Sequence, residues 1–205
     1  MVSAGALEDF RSAAEAVGVS ITPEQTENLL ATAAWLAQLS QRSGLSGYDT
    51  ADVALMRGMA PALAYFALDV PRCGQLADVG AGNGAIGATL AILCGNLSVC
   101  LVDRAQRAYT ACEILVARLR LPNLHAIRMD ADDAQAASYN VVVFRALAPG
   151  HMALSTARRV VRHGGSVVAY HRADDHAFLA PQADLTLTGT ALTVVPGLVA
   201  TAYRA

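Results

Sequence analysis

The 205-residue chain contains no lysine; all 15 of its basic residues are arginine. Proton relays of the Tyr-x-x-x-Lys kind are therefore unavailable, and nicotinamide-dependent oxidoreduction of that type goes with them. Cysteine is sparse and unpatterned. Cys73, Cys94, Cys100 and Cys112 show no C-x-x-C spacing, so they read as buried thiols of a reducing compartment, and neither a disulfide framework nor a metal site is expected. Every apolar run is broken by proline, glycine or charge well short of the ~20 residues that cross a bilayer. Glu8 and Asp9 stand where a signal peptide would place basic and then apolar residues. A cytoplasmic protein with no membrane partner is expected.

A basic surplus is missing as well. The formal net charge is −2, which leaves little non-specific attraction for nucleic acid. The balance is uneven along the chain: residues 1–74 hold four Arg against eight Asp and Glu, whereas 75–205 hold eleven Arg against nine. Hydrophobic residues make up 54% of the chain, enough for one domain with a sizeable core and a small appendage.

The stretch that organises the rest is 75–87, Gln-Leu-Ala-Asp-Val-Gly-Ala-Gly-Asn-Gly-Ala-Ile-Gly. It predicts a short buried strand, a turn with Gly80, Gly82 and Gly84 at alternate positions, and the start of a helix. Such a turn leaves backbone N–H groups bare at a helix N-terminus, which is a cradle for a nucleotide-like ligand. After it, strands are predicted near 75–79, 97–102, 123–129, 140–145, 165–171, 184–189 and 192–203. Helices are predicted at 84–94, 104–119, 149–162 and 174–180. Alternating strands and helices imply an α/β, Rossmann-like doubly wound fold, with a mostly parallel seven-stranded sheet. The last two strands, linked through Gly189-Thr190-Ala191, should form an antiparallel hairpin.

Residues 1–74 read as a helical appendage, the lid or substrate side, before a ligand-binding domain over 75–205. Helices are predicted at 5–17, at 22–42, where Thr22-Pro23-Glu24-Gln25 forms a capping box, and at 49–68. Gly58 and Pro61 should kink the last of these or split it.

Gly82-Asn-Gly84-Ala-Ile-Gly87 matches G-x-G-x-x-G, and Asp103 closes the second strand 19 residues after Gly84, where it can accept ribose hydroxyls or cap the following helix. Two features favour S-adenosylmethionine (SAM) over a dinucleotide. Asp78 puts a carboxylate inside the first strand, and Asp130-Ala131-Asp132-Asp133 follows the third, where an adenine could be met. The same acids could simply favour a helix N-terminus.

The run Asp78-Val-Gly-Ala-Gly-Asn-Gly84, with Leu101-Val-Asp103-Arg104, Ala131-Asp132-Asp133 and Val143-Phe-Arg145-Ala-Leu-Ala-Pro149, resembles the class I SAM-dependent methyltransferases. More narrowly it is similar to the RsmG (GidB) family, which methylates N7 of a guanine in 16S ribosomal RNA and carries a helical segment before the SAM domain. The resemblance implies that Asp78, Gly80, Gly82, Gly84, Asp103, Arg104, Ala131, Asp132 and Arg145 hold the cofactor. It also places Arg145 at the active-site end of the sheet. The family's Arg-His-x-x-Asp-Ser pattern stands here as Arg57-Gly58-Met59-Ala60-Pro61-Ala62, so the cofactor half of the pattern is kept and the substrate half is changed.

That asymmetry makes a methyltransferase with a diverged, small-molecule acceptor the leading expectation. Guanine-N7 methylation of 16S RNA, cyclisation of SAM alone to azetidine-2-carboxylate and methylthioadenosine, and non-catalytic SAM binding are the alternatives. Arg145, His151 and His171 are the candidate catalytic groups, because an acceptor that must lose a proton needs a base. Tyr48, Arg57 and Tyr65 are the candidate substrate contacts. Each of these side chains also has a purely structural reading, as packing or as a solvated surface.

Overall fold

The computed structural model describes residues 1–43, 45, 47–130, 138–179 and 184–205. Three helical segments come first: α1 (Ala4–Ala16), α2 (Pro23–Ser43), and a third that opens with the single turn α3 (Ala51–Val53). The third continues as a π-helix over Ala54–Met59 and a 3-10 helix over Ala60–Ala67. This is the predicted interruption. Pro61 has no N–H to give an α-helical ladder, and Gly58 is where the Tyr48 ring packs, so close that a Cβ there would stand 2.8 Å from Tyr48 Cε2. The capping box is present: Thr22 N–H donates to Gln25 Oε1 (2.9 Å) and Gln25 N–H to Thr22 Oγ1 (3.2 Å).

The alternating part follows as β1 (Gly74–Val79), α4 (Ala85–Leu93), β2 (Leu97–Asp103), α5 (Gln106–Leu119), β3 (Leu124–Arg128), β4 (Tyr139–Arg145), α6 (Gly150–Val160), β5 (Val161–Arg172), β6 (Thr186–Leu192) and β7 (Leu198–Arg204). The strands form one sheet in the order β3-β2-β1-β4-β5-β7-β6. The pairs from β3 through β5 are parallel, and β7 runs antiparallel to both neighbours. The order reverses between β1 and β4, the place where doubly wound sheets open a crevice at their carboxyl ends.

Two details differ from expectation. The hairpin does not turn at Gly189-Thr190-Ala191; those residues pair with Ala202, Thr201 and Ala200 inside the ladder. The turn spans 193–197, where Gly197 takes φ +76° and Thr193 Oγ1 accepts the Val195 N–H. Gly189 instead marks the register shift in β6, the usual meaning of a strand glycine. In the 174–180 region, only a 3-10 turn over His176–Phe178 forms within the described part.

Apolar side chains cover both faces of the sheet. One cluster joins Leu76, Val143 and Val168 to Leu90, Leu101 and Leu115 and runs without a break into Phe10, Leu29, Leu36, Leu55 and Tyr65 of the N-terminal helices. The other packs Val79, Val102, Val142 and Phe144 against Leu154 and Ala157 of α6. The N-terminal helices thus close the face that carries Asp78. Gln25 ties α2 to the end of α4 through Nε2, which donates to Ile92 O (2.9 Å). Among the described residues no helix is long and apolar enough to cross a membrane.

Candidate functional site

At the carboxyl end of β1 the chain leaves the sheet through Gly80, Gly82 and Gly84, with φ of +69°, +58° and +78°. Side chains rarely adopt this left-handed backbone, so the turn requires glycine. Gly84 is the N-cap of α4. Gly80 N–H and Ala81 N–H both donate to Val102 O (2.8 and 3.1 Å), fastening the loop to β2.

Asp78 is 2% exposed, and its Oδ2 accepts the Gly87 N–H at 2.8 Å. A Cβ on Gly87 would lie 2.4 Å from Leu101 Cδ2 and 2.9 Å from Asp78 Oδ2, so only glycine lets α4 approach the carboxylate this closely. Burial raises the Asp78 pKa to about 7; the Gly87 N–H opposes this, Asp103 adds to it, and Arg145 opposes it. Asp103 bridges two turns: Oδ2 accepts Gly82 N–H and Oδ1 accepts Ala105 N–H, each at 2.9 Å. The helix-cap alternative is not realised: the N-cap of α5 is Ala105, which has no side-chain cap, and Asp103 closes the turn ahead of it. A carboxylate has about four acceptor sites, so ribose hydroxyls can still be taken.

Two clefts meet over this loop. The first, about 370 Å³, is lined by Val79, Gly80, Val102, Asp103, Arg104, Met129, Asp130, Ala146, Leu147, Ala148, Met152 and Thr156. Its apolar walls and acidic rim suit an adenosine. The second, about 310 Å³, lies on the Asp78 side and is lined by Leu45, Gly47, Tyr48, Asp78, residues 80–83, Ala85, Ile86, Arg145 and Ala146. Gly80 and Ala146 are common to both, so one elongated ligand can cross from the first cleft to the second. Leu147 closes over the loop so tightly that a Cβ on Gly80 would meet its Cδ1 at 2.5 Å. The bare loop, the Asp103 acceptor and the buried Asp78 are groups that would suit SAM.

Arg145 ends β4 and reaches across to the N-terminal segment, where Nη1 donates to Arg57 O at 3.1 Å. It is the Arg57 backbone that meets Arg145; the Arg57 side chain is exposed. Arg104 is 79% exposed and lies 3.4 Å from Asp130 Oδ2 at the rim of the first cleft. Tyr48 lines the second cleft. Ala131, Asp132 and Asp133 fall outside the described residues.

Three expected residues are placed elsewhere. Tyr65 is fully buried in the core, its hydroxyl donates to Pro71 O ahead of β1, and burial pushes its pKa well up. It cannot line the site. His171 is 6% exposed, with both ring nitrogens engaged. Nδ1 must donate to Arg172 O (2.8 Å), so Nε2 accepts from Thr201 Oγ1 (2.8 Å), and the ring stacks on Phe178. Burial lowers its pKa, which keeps this neutral tautomer, and it lines neither cleft. His151 is exposed on the first turn of α6, where its neighbour Met152 and not His151 lines the first cleft.

The sequence reading passed over Ala146, Leu147, Met129, Met152 and Leu45. Ala146 has φ +54°, a conformation that no signal marks in an alanine; the Arg145-to-Pro149 motif pointed only to the neighbourhood.

Comparison with known proteins bears on this site. A small-subunit methyltransferase G from Bordetella avium is 28% identical over 169 residues, covering 80% of this chain and 75% of that one. One from Treponema pallidum is 32% identical over 100 residues, covering 46% and 45%. Among solved structures, coclaurine N-methyltransferase bound to N-methylheliamine and SAH superposes with a TM-score of 0.56 at 16% identity, over 90% of this chain and 71% of that one. A TehB-like SAM-dependent methyltransferase from Corynebacterium glutamicum gives 0.51 at 16%, over 71% and 86%. At such identity the two structures speak for the fold alone. The family profile described as rRNA small subunit methyltransferase G (GidB) matches residues 25–201. With a glycine cradle, a buried acid beneath it and an arginine at the end of β4, the chain belongs to that methyltransferase family.

Proposed function

We propose that this SAM-dependent methyltransferase acts on a ring nitrogen with a free lone pair, N7 of a guanine in small-subunit ribosomal RNA. The observation that carries the reading is the family match across 25–201. The site chemistry supports it. When bound, SAM supplies an electrophilic methyl on a sulfonium, and an acceptor with a free lone pair needs no base to attack it. Neither His151 nor His171 lines the clefts. The protein's part is orientation and exclusion of water. The glycine loop and Asp103 fix one end of the cofactor, Asp78 offers an acceptor to its ammonium group, and Arg145 with Tyr48 faces the acceptor side.

A small-molecule acceptor is the second reading. It is favoured by the 57–62 segment, which runs through the π-to-3-10 junction with Pro61 buried and Tyr48 packed on Gly58, and by a net charge of −2. Incubation with labelled SAM and 16S RNA or 30S particles decides between them. Labelled 7-methylguanine with S-adenosylhomocysteine (SAH) supports the first reading. SAH formed only with small acceptors supports the second, and methylthioadenosine from SAM alone overturns both.

A further inference from the structure

The π-helix over Ala54–Met59 meets the second cleft through two consecutive residues. Arg57 O accepts the Arg145 Nη1 donor at 3.1 Å. Gly58 is buried and seats the ring of Tyr48. A Cβ on this glycine would stand 2.8 Å from Tyr48 Cε2, 2.9 Å from Cζ and 3.2 Å from the hydroxyl oxygen. Arg145 and Tyr48 both line the second cleft, whereas Arg57 and Gly58 do not. The helix therefore supports two of the cleft's side chains from behind. π-Helical turns recur at functional sites because they re-aim the residues they carry.

Backbone conformation does not explain a glycine at 58. It is not among the glycines with positive φ, so no turn requires it. Inside a helix glycine is less stable than alanine, because it loses more backbone freedom on folding. What Gly58 supplies is space: only without a Cβ does the ring settle onto the helix backbone. The seat is particular to this chain, since the pattern Arg-His-x-x-Asp-Ser has a residue with a Cβ where Gly58 stands. If a Cβ is added, the ring is the movable partner, because it is the far end of a side chain that is only half-buried.

We propose that Gly58 is a positioning residue, which seats the Tyr48 ring as an aromatic wall of the second cleft on which a planar acceptor stacks. The proposal rests on the reading that the methyl acceptor, a purine base, enters this cleft. Every base has a π-face, and stacking on an aromatic side chain is worth about 10-fold or more in affinity per base. An aliphatic acceptor gains nothing comparable from such a wall.

Methyl transfer from SAM to 30S particles tests it in wild type, Tyr48→Ala, Tyr48→Phe, Gly58→Ala and the double variant Gly58→Ala/Tyr48→Ala. SAH affinity by calorimetry and the ligand-free melting temperature are measured alongside. Loss of one stacked base predicts that Tyr48→Ala raises KM for the particles about 10-fold. Tyr48→Phe keeps the ring and should recover most of that loss. Gly58→Ala should raise KM about 3-fold or more, and should add nothing once residue 48 is alanine. SAH affinity should hold throughout. With the ring gone, alanine at 58 is simply the better helix former, so the double variant should melt above Tyr48→Ala. No rise in KM from Gly58→Ala, or an equal rise in both backgrounds, overturns the proposal. So does SAH affinity falling in step with activity, or a double variant that melts below Tyr48→Ala. A wild type that binds SAH but methylates no 30S particle overturns the acceptor reading, and the proposal with it.

Discussion

Asp78 stands out in the sequence because a carboxylate inside an apolar strand is costly unless a partner meets it. The sequence could not tell how buried it is, and burial sets its pH behaviour. Its pKa is raised to about 7 from 3.8, so the native state holds a proton that the unfolded chain has released. Stability therefore falls as pH rises from about 4 to about 7 and levels off above that. Asp78→Asn should flatten this slope and raise the ligand-free melting temperature at pH 8 by on the order of 5–10 °C, with little change near pH 4, in scanning calorimetry across that range. Gly87→Ala tests the same contact from the other side. Its Cβ would press on Leu101 and Asp78, and denaturant titration should show a loss of about 1–3 kcal/mol.

At the level of elements, local chemistry spoke clearly where it was strong. The Thr22–Gln25 capping box was readable because its two hydrogen bonds join residues three apart in sequence. Its second role was not readable, since the Gln25 Nε2 bond to Ile92 O spans 67 residues. Gln25→Glu keeps an oxygen for Thr22 N–H but removes that donor and turns a carboxylate toward the Ile92 carbonyl. A destabilisation of about 1–2 kcal/mol is expected by denaturant titration, larger at pH 7 than at pH 4. The hairpin was misplaced because Gly189 and Gly197 carry the same local signal. Only pairing with β7 separates the glycine that marks a register shift from the one at φ +76° that turns the chain.

For the molecule as a whole, the decisive contact joins residues 88 positions apart. Arg145 Nη1 holds the Arg57 carbonyl and so anchors the N-terminal helices at the mouth of the second cleft. Arg145→Ala should reduce kcat/KM for methyl transfer by about 10- to 100-fold, the worth of a hydrogen bond to a charged group. Arg145→Lys should recover part of that loss, because a lysine can keep the charge but not the fixed fork of donors. Steady-state assays with whichever acceptor yields labelled product provide the check. The N-terminal helices share one apolar cluster with the sheet, so their removal would expose Leu76, Leu90 and Val143 together and should abolish cooperative unfolding.

The sequence by itself determined the alternating architecture and the glycine cradle, which depend on periodicity and on backbone conformations that residues a few positions apart impose; the class of cofactor followed from the resemblance of its motifs to a methyltransferase family. Tertiary structure decided which side chains reach the clefts. Strand alternation assigns a residue to a face, but the segment covering that face comes from far along the chain. That is why Tyr65 and His171, plausible in sequence, are held inside by Pro71 and by Thr201 with Phe178.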